Sequence, residues 1–544
     1  MAEEFEDIYY YVAATVGAAY VHTVFLCVPD EFARTKQDAQ DFASCHGWIE
    51  QAERDSSILI VPLAPEGWAK QPTSHLMSLF KKYATAFFAP SGVAIPGRGL
   101  PGQLWLWEPM VYVAGYGEGA TYAADVLVAE PGFAAATVLV GGRASSLEAA
   151  DRETSCWVVP QHSDAYHKVN REVPVAAWLV GEDDDGGALR GYLAQVDQAT
   201  AHSTVTYQGR EIEVAENPTE PAWHIWSTPD LALDDPAIAR IAVQEFFSRV
   251  YRWKGGPDGT LKVHTSKAEF LGGAFYKHGT IHEGGLDYPY AVHLPAGLGR
   301  GDVRGLPLVL SIHGRGEGIW SYAEKNGWEA LADETRAFVT VSPDSLYEIW
   351  VGKRDMHALE LLVKQVLADF ELDPERVYVT GFSNGGMMTY QASTTMPQLF
   401  AAASPWNSPA GNAGLPGFAE YFVNPDFASL GCEMPLWAFY GDRDTKIPYD
   451  EGAFLSDGFF ACNGTSREQR LELDPVAAFP EARGYRESER MLSWAWRNAQ
   501  GSTRIGLTLV RDVPHGSIWD EARAAWEFMS RFRRPAGSKR VVEL

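Results

Sequence analysis

The sequence predicts a tandem α/β architecture: two domains, each a mostly parallel sheet flanked by helices. Three observations point to it. They are the length, an alternation of strand-like and helix-like segments in the second half, and an echo of that order in the first half. A chain of 544 residues exceeds the roughly 250–300 residues that one hydrophobic core usually organises, so two domains are expected.

In the second half, residues 307–312 (PLVLSI) read as a buried strand followed by the loop His313-Gly314-Arg315-Gly316-Glu317-Gly318. A helical stretch near 320–334 leads to a strand at 337–342. Met356, Leu359, Leu362, Val363, Val366 and Leu367 recur at helical spacing over 355–370. A strand at 376–380, a tight turn and a helix from about 384 follow. Strands at 435–440 and 504–510 and a helix from Glu521 to Arg533 complete the pattern. Such alternation implies parallel strands with helices covering both faces.

The first half repeats this order. GWIEQAERDSSILIVP from Gly47 resembles GWEALADETRAFVTVSP from Gly327, 280 residues on. VYVAGYGEGATY from Val111 resembles VYVTGFSNGGMMTY from Val377, 266 on. CWVVPQHSD, ending at Asp164, resembles LWAFYGDRD, ending at Asp444, and EFFSRV from Glu245 resembles EFMSRF from Glu527. Four ordered matches at nearly constant offset indicate a duplication. The boundary is expected in the Gly-rich stretch 253–259, giving domains 1–252 and 253–544.

Composition narrows the function. A formal net charge of −26 excludes nucleic acid and anionic membrane as partners, because both select basic surfaces. The 5 cysteines are scattered and form no CxxC pair, which fits a reduced compartment and neither a disulfide framework nor a zinc site. No signal peptide and no membrane-spanning apolar run are visible, so a cytoplasmic location is the default expectation. The 18 tryptophans predict large aromatic cores or an aromatic-lined cleft.

Gly381-Phe382-Ser383-Asn384-Gly385 is a G-x-S-x-G between a strand and a helix. That turn pushes a serine out of the sheet edge, and its flanking glycines avoid collisions with neighbouring backbone. A serine nucleophile needs a base, and the base an orienting acid. In this arrangement the order along the chain is serine, acid, histidine. His515 is the one histidine after Ser383. Asp444 is the preferred acid, with Asp442 as the alternative in the same Gly-Asp-Arg-Asp loop. An oxyanion hole is expected from the backbone N–H of Asn384 and from the 313–316 loop, Arg315 being favoured and Gly314 its neighbour. The Arg315 and Glu317 side chains would face the substrate or pair with each other. His313, Trp320, Trp406 and Trp519 are candidate substrate contacts, and Trp350 shares the choice between cleft and core.

RVYVTGFSNGGMMTY, the His-Gly loop, GDRDTKIP and the VPHG…WEFMSRF ending resemble the polyhydroxybutyrate depolymerase-type esterases, which are similar to feruloyl and acetyl xylan esterases. The resemblance covers about residues 285–535. It implies an α/β-hydrolase fold and cleavage of a small-molecule or oligomeric ester through an acyl-serine intermediate, with no metal and no cofactor. A peptidase or acyltransferase on the same scaffold, and a binding or scaffold protein, are the alternatives.

The first copy reads as disarmed. Gly117 stands where Ser383 stands, Asp164 matches the acid, and His224 falls near the base's place. Pro29-Asp30 replaces the His-Gly loop. This half would then support the catalytic domain, shape its cleft or mediate a homo-oligomer. Gly115, Gly117 and Ala120 also fit a dinucleotide fingerprint, but too late in the domain for its first strand. His278, His282 and Glu283 suggest metal ligands only on a helix, which Gly279 disfavours. Asn463-Gly464-Thr465 matches a glycosylation sequon, and Glu182–Asp185 reads as a solvated acidic loop.

Overall fold

The computed structural model describes residues 5–14, 22–84, 104, 106, 110–154, 169–181, 187–253, 260–263, 276–315, 317–319, 322, 325–345, 349–410, 427–444, 446–450, 455–473, 491–511, 513 and 515–544. The chain parts into two compact units, Met1–Ser266 and Lys267–Leu544.

The first unit holds a nine-stranded sheet. Its strands are β1 (Ile8–Val12), β2 (Thr23–Cys27), β3 (Ile58–Pro62), β4 (Val111–Tyr116), β5 (Ala136–Val140), β6 (Ala176–Val180), β7 (Ala201–Tyr207), β8 (Arg210–Glu216) and β9 (His224–Thr228), in the spatial order β1-β3-β2-β4-β5-β6-β9-β8-β7. A hairpin of β10 (Val250–Trp253) and β11 (Thr260–Val263) ends the unit. The second unit has β12 (Tyr276–Glu283), β13 (Leu286–His293), β14 (Leu308–Ile312), β15 (Val339–Pro343), β16 (Val377–Phe382), β17 (Ala402–Trp406), β18 (Leu436–Gly441), β19 (Arg470–Leu473), β20 (Met491–Arg497) and β21 (Thr503–Val510), in the order β12-β13-β15-β14-β16-β17-β18-β21-β20-β19. A hairpin of β22 (Phe532–Arg533) and β23 (Val542–Glu543) follows. Apart from the extra edge strand β12, the two orders are the same. The molecule is therefore a tandem of α/β-hydrolase-like domains. The central parallel strands β14 to β18 are buried along their whole length, as a sheet covered by helices on both faces requires.

The duplication reaches single residues. The helices Trp48–Asp55 and Trp328–Thr335 are each entered through a left-handed glycine, Gly47 at φ 78° and Gly327 at φ 76°. They are left through Ser56 and Arg336, also left-handed. Arg252 donates from Nε to Ala134 O (2.9 Å) and from Nη2 to Pro174 O (2.6 Å). Arg534 makes the matching bonds to Phe400 O and Glu433 O. Tyr112 and Tyr378 donate to Val250 O and Phe532 O, both at 2.8 Å. Trp178 and Trp437 donate to Thr228 Oγ1 and Thr508 Oγ1. These bonds tie each closing hairpin and its last parallel strands to the sheet. The hairpin β10–β11 is thus the counterpart of β22–β23, and the first compact unit extends to Ser266. Residues 254–259 of the expected boundary lie outside the described residues.

One of the four sequence matches is corrected. Asp164 and residues 155–168 lie outside the described residues, but the strand in the place of β18 is β6. Val140 pairs with Val180 where Trp406 pairs with Phe439, and Val180 pairs with Thr228 where Phe439 pairs with Thr508. By that register β6, not the run ending in Asp164, stands in the place of β18. The acidic run Glu182–Asp185 lies outside the described residues. The strand-like match was misleading because any short apolar run before a turn reads alike.

The sequon is explained by the same comparison. Asn463 is buried, and its side chain bridges Met434 N (3.0 Å) and Met434 O (2.7 Å), so it is a structural clamp. Its counterpart is Asp197, which accepts from Val175 N at 2.9 Å. Among the described residues the other oxygen of Asp197 finds no donor. Burial pushes the Asp197 carboxyl up to about 8, against the Val175 N–H and Arg252. Between the unfolded value near 3.8 and about 8, the folded chain holds a proton that the unfolded chain has released, so stability falls as pH rises through that window. Asp197→Asn restores the clamp that Asn463 makes. It should stabilise the first unit at pH 7–8 by about 1–2 kcal/mol, or roughly 2–8 °C in Tm. The gain should shrink toward pH 4, and thermal melts across pH 4–8 check both statements.

Candidate active site

Ser383 lies between β16 and the helix Asn384–Thr395, at φ 52° and ψ −115°. A residue with a Cβ in such a conformation stores about 1–3 kcal/mol of strain. The surroundings hold it: Ser383 N donates to Trp406 O at 2.9 Å. A Cβ on Gly381 would lie 2.4 Å from Gly385 O, and one on Gly385 would lie 2.1 Å from Ile312 O. Strand, turn and helix therefore approach more closely than any side chain permits.

The turn presents Ser383 Oγ to His515 Nε2 at 2.9 Å. His515 stands in the loop between β21 and the helix Trp519–Met529. Its Nδ1 meets Asp444 Oδ2 at 2.7 Å. Asp444 follows β18, and its other oxygen accepts from Lys446 N (2.9 Å) and Ile447 N (2.8 Å). Asn407 Nδ2 adds a fourth contact, to Asp444 Oδ2 at 3.1 Å. Burial disfavours the Asp444 carboxylate, but the His515 ring and these donors outweigh it and hold the carboxyl below its ordinary value. Burial keeps His515 below the ordinary imidazole value; Asp444 opposes this, and Lys446 and Lys325 add to it. A neutral imidazole bonded on both sides can take a proton at Nε2. The structure thus brings Ser383, His515 and Asp444 into one relay. Asp442 is outside it, its N–H donating to Val510 O.

Asn384 opens its helix, where backbone N–H groups lack intrahelical acceptors. Its side chain is turned to Trp350 N, at 2.8 Å. The Gly314 N–H donates to Glu317 Oε2 at 2.7 Å, so Gly314 is not an oxyanion donor in this arrangement. Glu317 also pairs with Lys325, which settles the partner of its side chain. His313 is buried, with Nδ1 on Gly314 O (2.6 Å) and Nε2 accepting from Ser345 N (3.1 Å). It braces the loop and is not exposed to a substrate.

The tryptophans divide. Trp406 is fully buried, its Nε1 on Ser404 Oγ at 3.0 Å and its ring stacked with Trp328. Trp350 is equally buried, donating to His313 O at 2.9 Å. Both are core: Trp406 ends β17, and Trp350 stands just before the helix Gly352–Phe370. Trp519 is 40% exposed at the start of its helix, and Trp320 lies outside the described residues. Asn407 was missed from the sequence: its positive φ of 45° and its reach to Asp444 leave no pattern in the residues around it.

The first unit keeps the turn, with Gly117 where the second has Ser383. Gly117 sits at φ 55° and ψ −122°, close to the Ser383 values. A Cβ on Gly119 would lie 2.2 Å from Cys27 O, so these glycines serve strand–helix contact as Gly381 and Gly385 do, which removes the need for a dinucleotide. Gly141, at φ 68°, replaces Asn407. His224 is corrected: it begins β9, at the opposite end of the strand from the turn, with Nδ1 on Pro221 O at 2.8 Å. The loop after β9 contains no histidine, and its Leu233 packs on Gly141 and Gly181. His278 and His282 lie on the strand β12, not a helix; His282 pairs with Asp287, and Glu283 with His357. Among the described residues no group of three His, Cys, Asp or Glu side chains is arranged to hold a metal. Among them, no helix is long and apolar enough to cross a membrane.

Parts of the chain are similar to known proteins. The prolyl oligopeptidase family profile matches residues 350–410. A bifunctional acetylxylan esterase/xylanase of Neocallimastix patriciarum is 32% identical over 235 residues, taking in 42% of this chain and 31% of that protein. Poly(3-hydroxyalkanoate) depolymerase C of Paucimonas lemoignei is 32% identical over 127 residues, 21% of this chain and 29% of that protein. The matches thus span about a third of these relatives' own length. An acetyl xylan esterase from Aspergillus awamori superposes with a TM-score of 0.33 at 14% identity, over 47% of this chain and 99% of the other. The chain has an esterase-like fold of the α/β-hydrolase superfamily, with affinity to serine hydrolases in both its esterase and peptidase branches.

The close approach at the turn gives a direct prediction. Gly385→Ala should cost about 1–3 kcal/mol or more through collision with Ile312 O, read as a lowered Tm of the second unit.

Proposed function

We propose that the second unit is a serine-dependent carboxylic ester hydrolase. The observation that carries this reading is the relay from Ser383 through His515 to Asp444 at 2.9 and 2.7 Å. His515 takes the Ser383 proton as the hydroxyl attacks the ester carbonyl. Asp444 holds the ring in the tautomer that leaves Nε2 free to accept, and stabilises the imidazolium that forms. The backbone N–H groups of Asn384 and Arg315 receive the oxyanion. His515 then protonates the leaving alcohol, and water cleaves the acyl-serine by the same steps in reverse. The likeness to acetylxylan esterase and to a polyhydroxyalkanoate depolymerase favours small-molecule or oligomeric esters with short acyl groups. The match of residues 350–410 to the prolyl oligopeptidase family supports a second reading, a peptidase using the same relay. The first unit is a non-catalytic partner domain.

Ser383→Ala should reduce hydrolysis of p-nitrophenyl acetate by at least about 10³-fold with an unchanged melt; wild-type rates in that variant would end the serine reading. Panels of acetylated sugars, hydroxyalkanoate oligomers and peptide amides separate esterase from peptidase. Because His515 is held below the ordinary value of 6.5, and the base must be neutral, the acid limb of kcat/KM should lie at lower pH than an unperturbed imidazole would give. Asn407→Gly copies Gly141 and suits the positive φ, so the fold should hold. Loss of a bond to the Asp444 carboxylate should lower kcat by about tenfold or more, measured by steady-state kinetics.

A further inference from the structure

Glu317 and Lys325 form an ion pair with side chains only 4% and 1% exposed. Pairs this deeply buried rarely add stability, since apolar residues of similar volume often do as well or better. The pair therefore calls for another reason, and its contacts supply one. One Glu317 oxygen takes the Lys325 ammonium and the other takes the Gly314 N–H at 2.7 Å. Lys325 Nζ lies 3.7 Å from the centre of the Phe382 ring. Phe382 directly precedes Ser383, and its ring is 4.9 Å from that of His515. A Cβ on Gly314 would stand 2.9 Å from Glu317 Oε2 and 3.0 Å from Phe382 Cδ1. The carboxylate, the loop after β14 and the residue beneath the nucleophile are thus in mutual contact.

The first unit supplies an internal control. Aligned on Gly47 and Gly327, the position of Lys325 is taken by Cys45, which is exposed. The helices that follow and their glycine caps are the same. The frame therefore forms without the pair, and the pair occurs in the unit that carries a serine.

We propose that Glu317 and Lys325 are positioning residues for the ester hydrolysis assigned to Ser383: they anchor the 313–315 loop against the floor of the Ser383 turn and so set where its backbone donor meets the oxyanion. This inference rests on the serine mechanism. Glu317→Leu/Lys325→Met removes both charges without stranding either. It should fold with a Tm near wild type, lose about 10- to 100-fold in kcat with KM little changed, and exchange the Gly314 amide faster in hydrogen-exchange mass spectrometry. Its affinity for an aryl boronic acid, which mimics the tetrahedral state, should fall in step with kcat. Glu317→Gln/Lys325→Met keeps an acceptor for the Gly314 N–H and should recover most of the loss. Wild-type kcat in the Leu/Met variant, a loss confined to KM, or no recovery in the Gln/Met variant would overturn the proposal. Wild-type hydrolysis in Ser383→Ala would instead sink the serine mechanism, and the anchoring would then be judged by Gly314 exchange alone.

Discussion

The turn between β16 and the helix at Asn384 holds Ser383 in a backbone conformation that a residue with a Cβ resists, at φ 52°. Its neighbours are arranged to hold it there. Gly381 and Gly385 let strand, helix and the end of β14 close to within contact of bare backbone. Trp406 O takes the Ser383 N–H, which makes β17 part of the same clamp. Only then does Oγ stand within hydrogen-bond reach of His515. The loops after β18 and β21 need merely deliver one side chain each, because the sheet register has already set the distance between their strands.

Much of this was legible in the chain. The alternation of apolar strands with helical spacing gave the parallel sheet, and the glycine spacing around Ser383 gave the turn. His515 and Asp444 followed from chain order. What escaped reading was set by tertiary contact. Trp350 and Trp406 carry nothing in sequence that tells a cleft wall from a core. Asn407 reaches Asp444 because of one positive φ. Gly314 looked like a donor until the Glu317 carboxylate was seen to claim its N–H. In the first half, the apolar run ending in Asp164 resembles the end of β18 in sequence, whereas the register puts β6 at that place.

The two units share one framework. Arg252 and Arg534, Tyr112 and Tyr378, and Trp178 and Trp437 make the same bonds in both. These side chains bridge backbone carbonyls or strands buried under helices, where a lost partner leaves an unsatisfied polar group at about 1–3 kcal/mol. Ser383, Asn407, His515 and Lys325 have no like-for-like residue in the first unit. These arginines, tyrosines and tryptophans have kept their identity, whereas the Asn463 clamp has become Asp197 and the residues at the strand ends near Ser383 differ.

Gly117 is one such difference. A glycine accepts the left-handed turn without steric penalty, whereas a serine must be held in it. Replacing serine by glycine at such a turn releases strain, and the reverse change must restore it while also recovering a histidine that the loop after β9 no longer has. The two directions are thus unequal at this turn: serine to glycine relieves backbone strain in a single substitution, whereas glycine to serine reinstates strain that the surrounding backbone must hold.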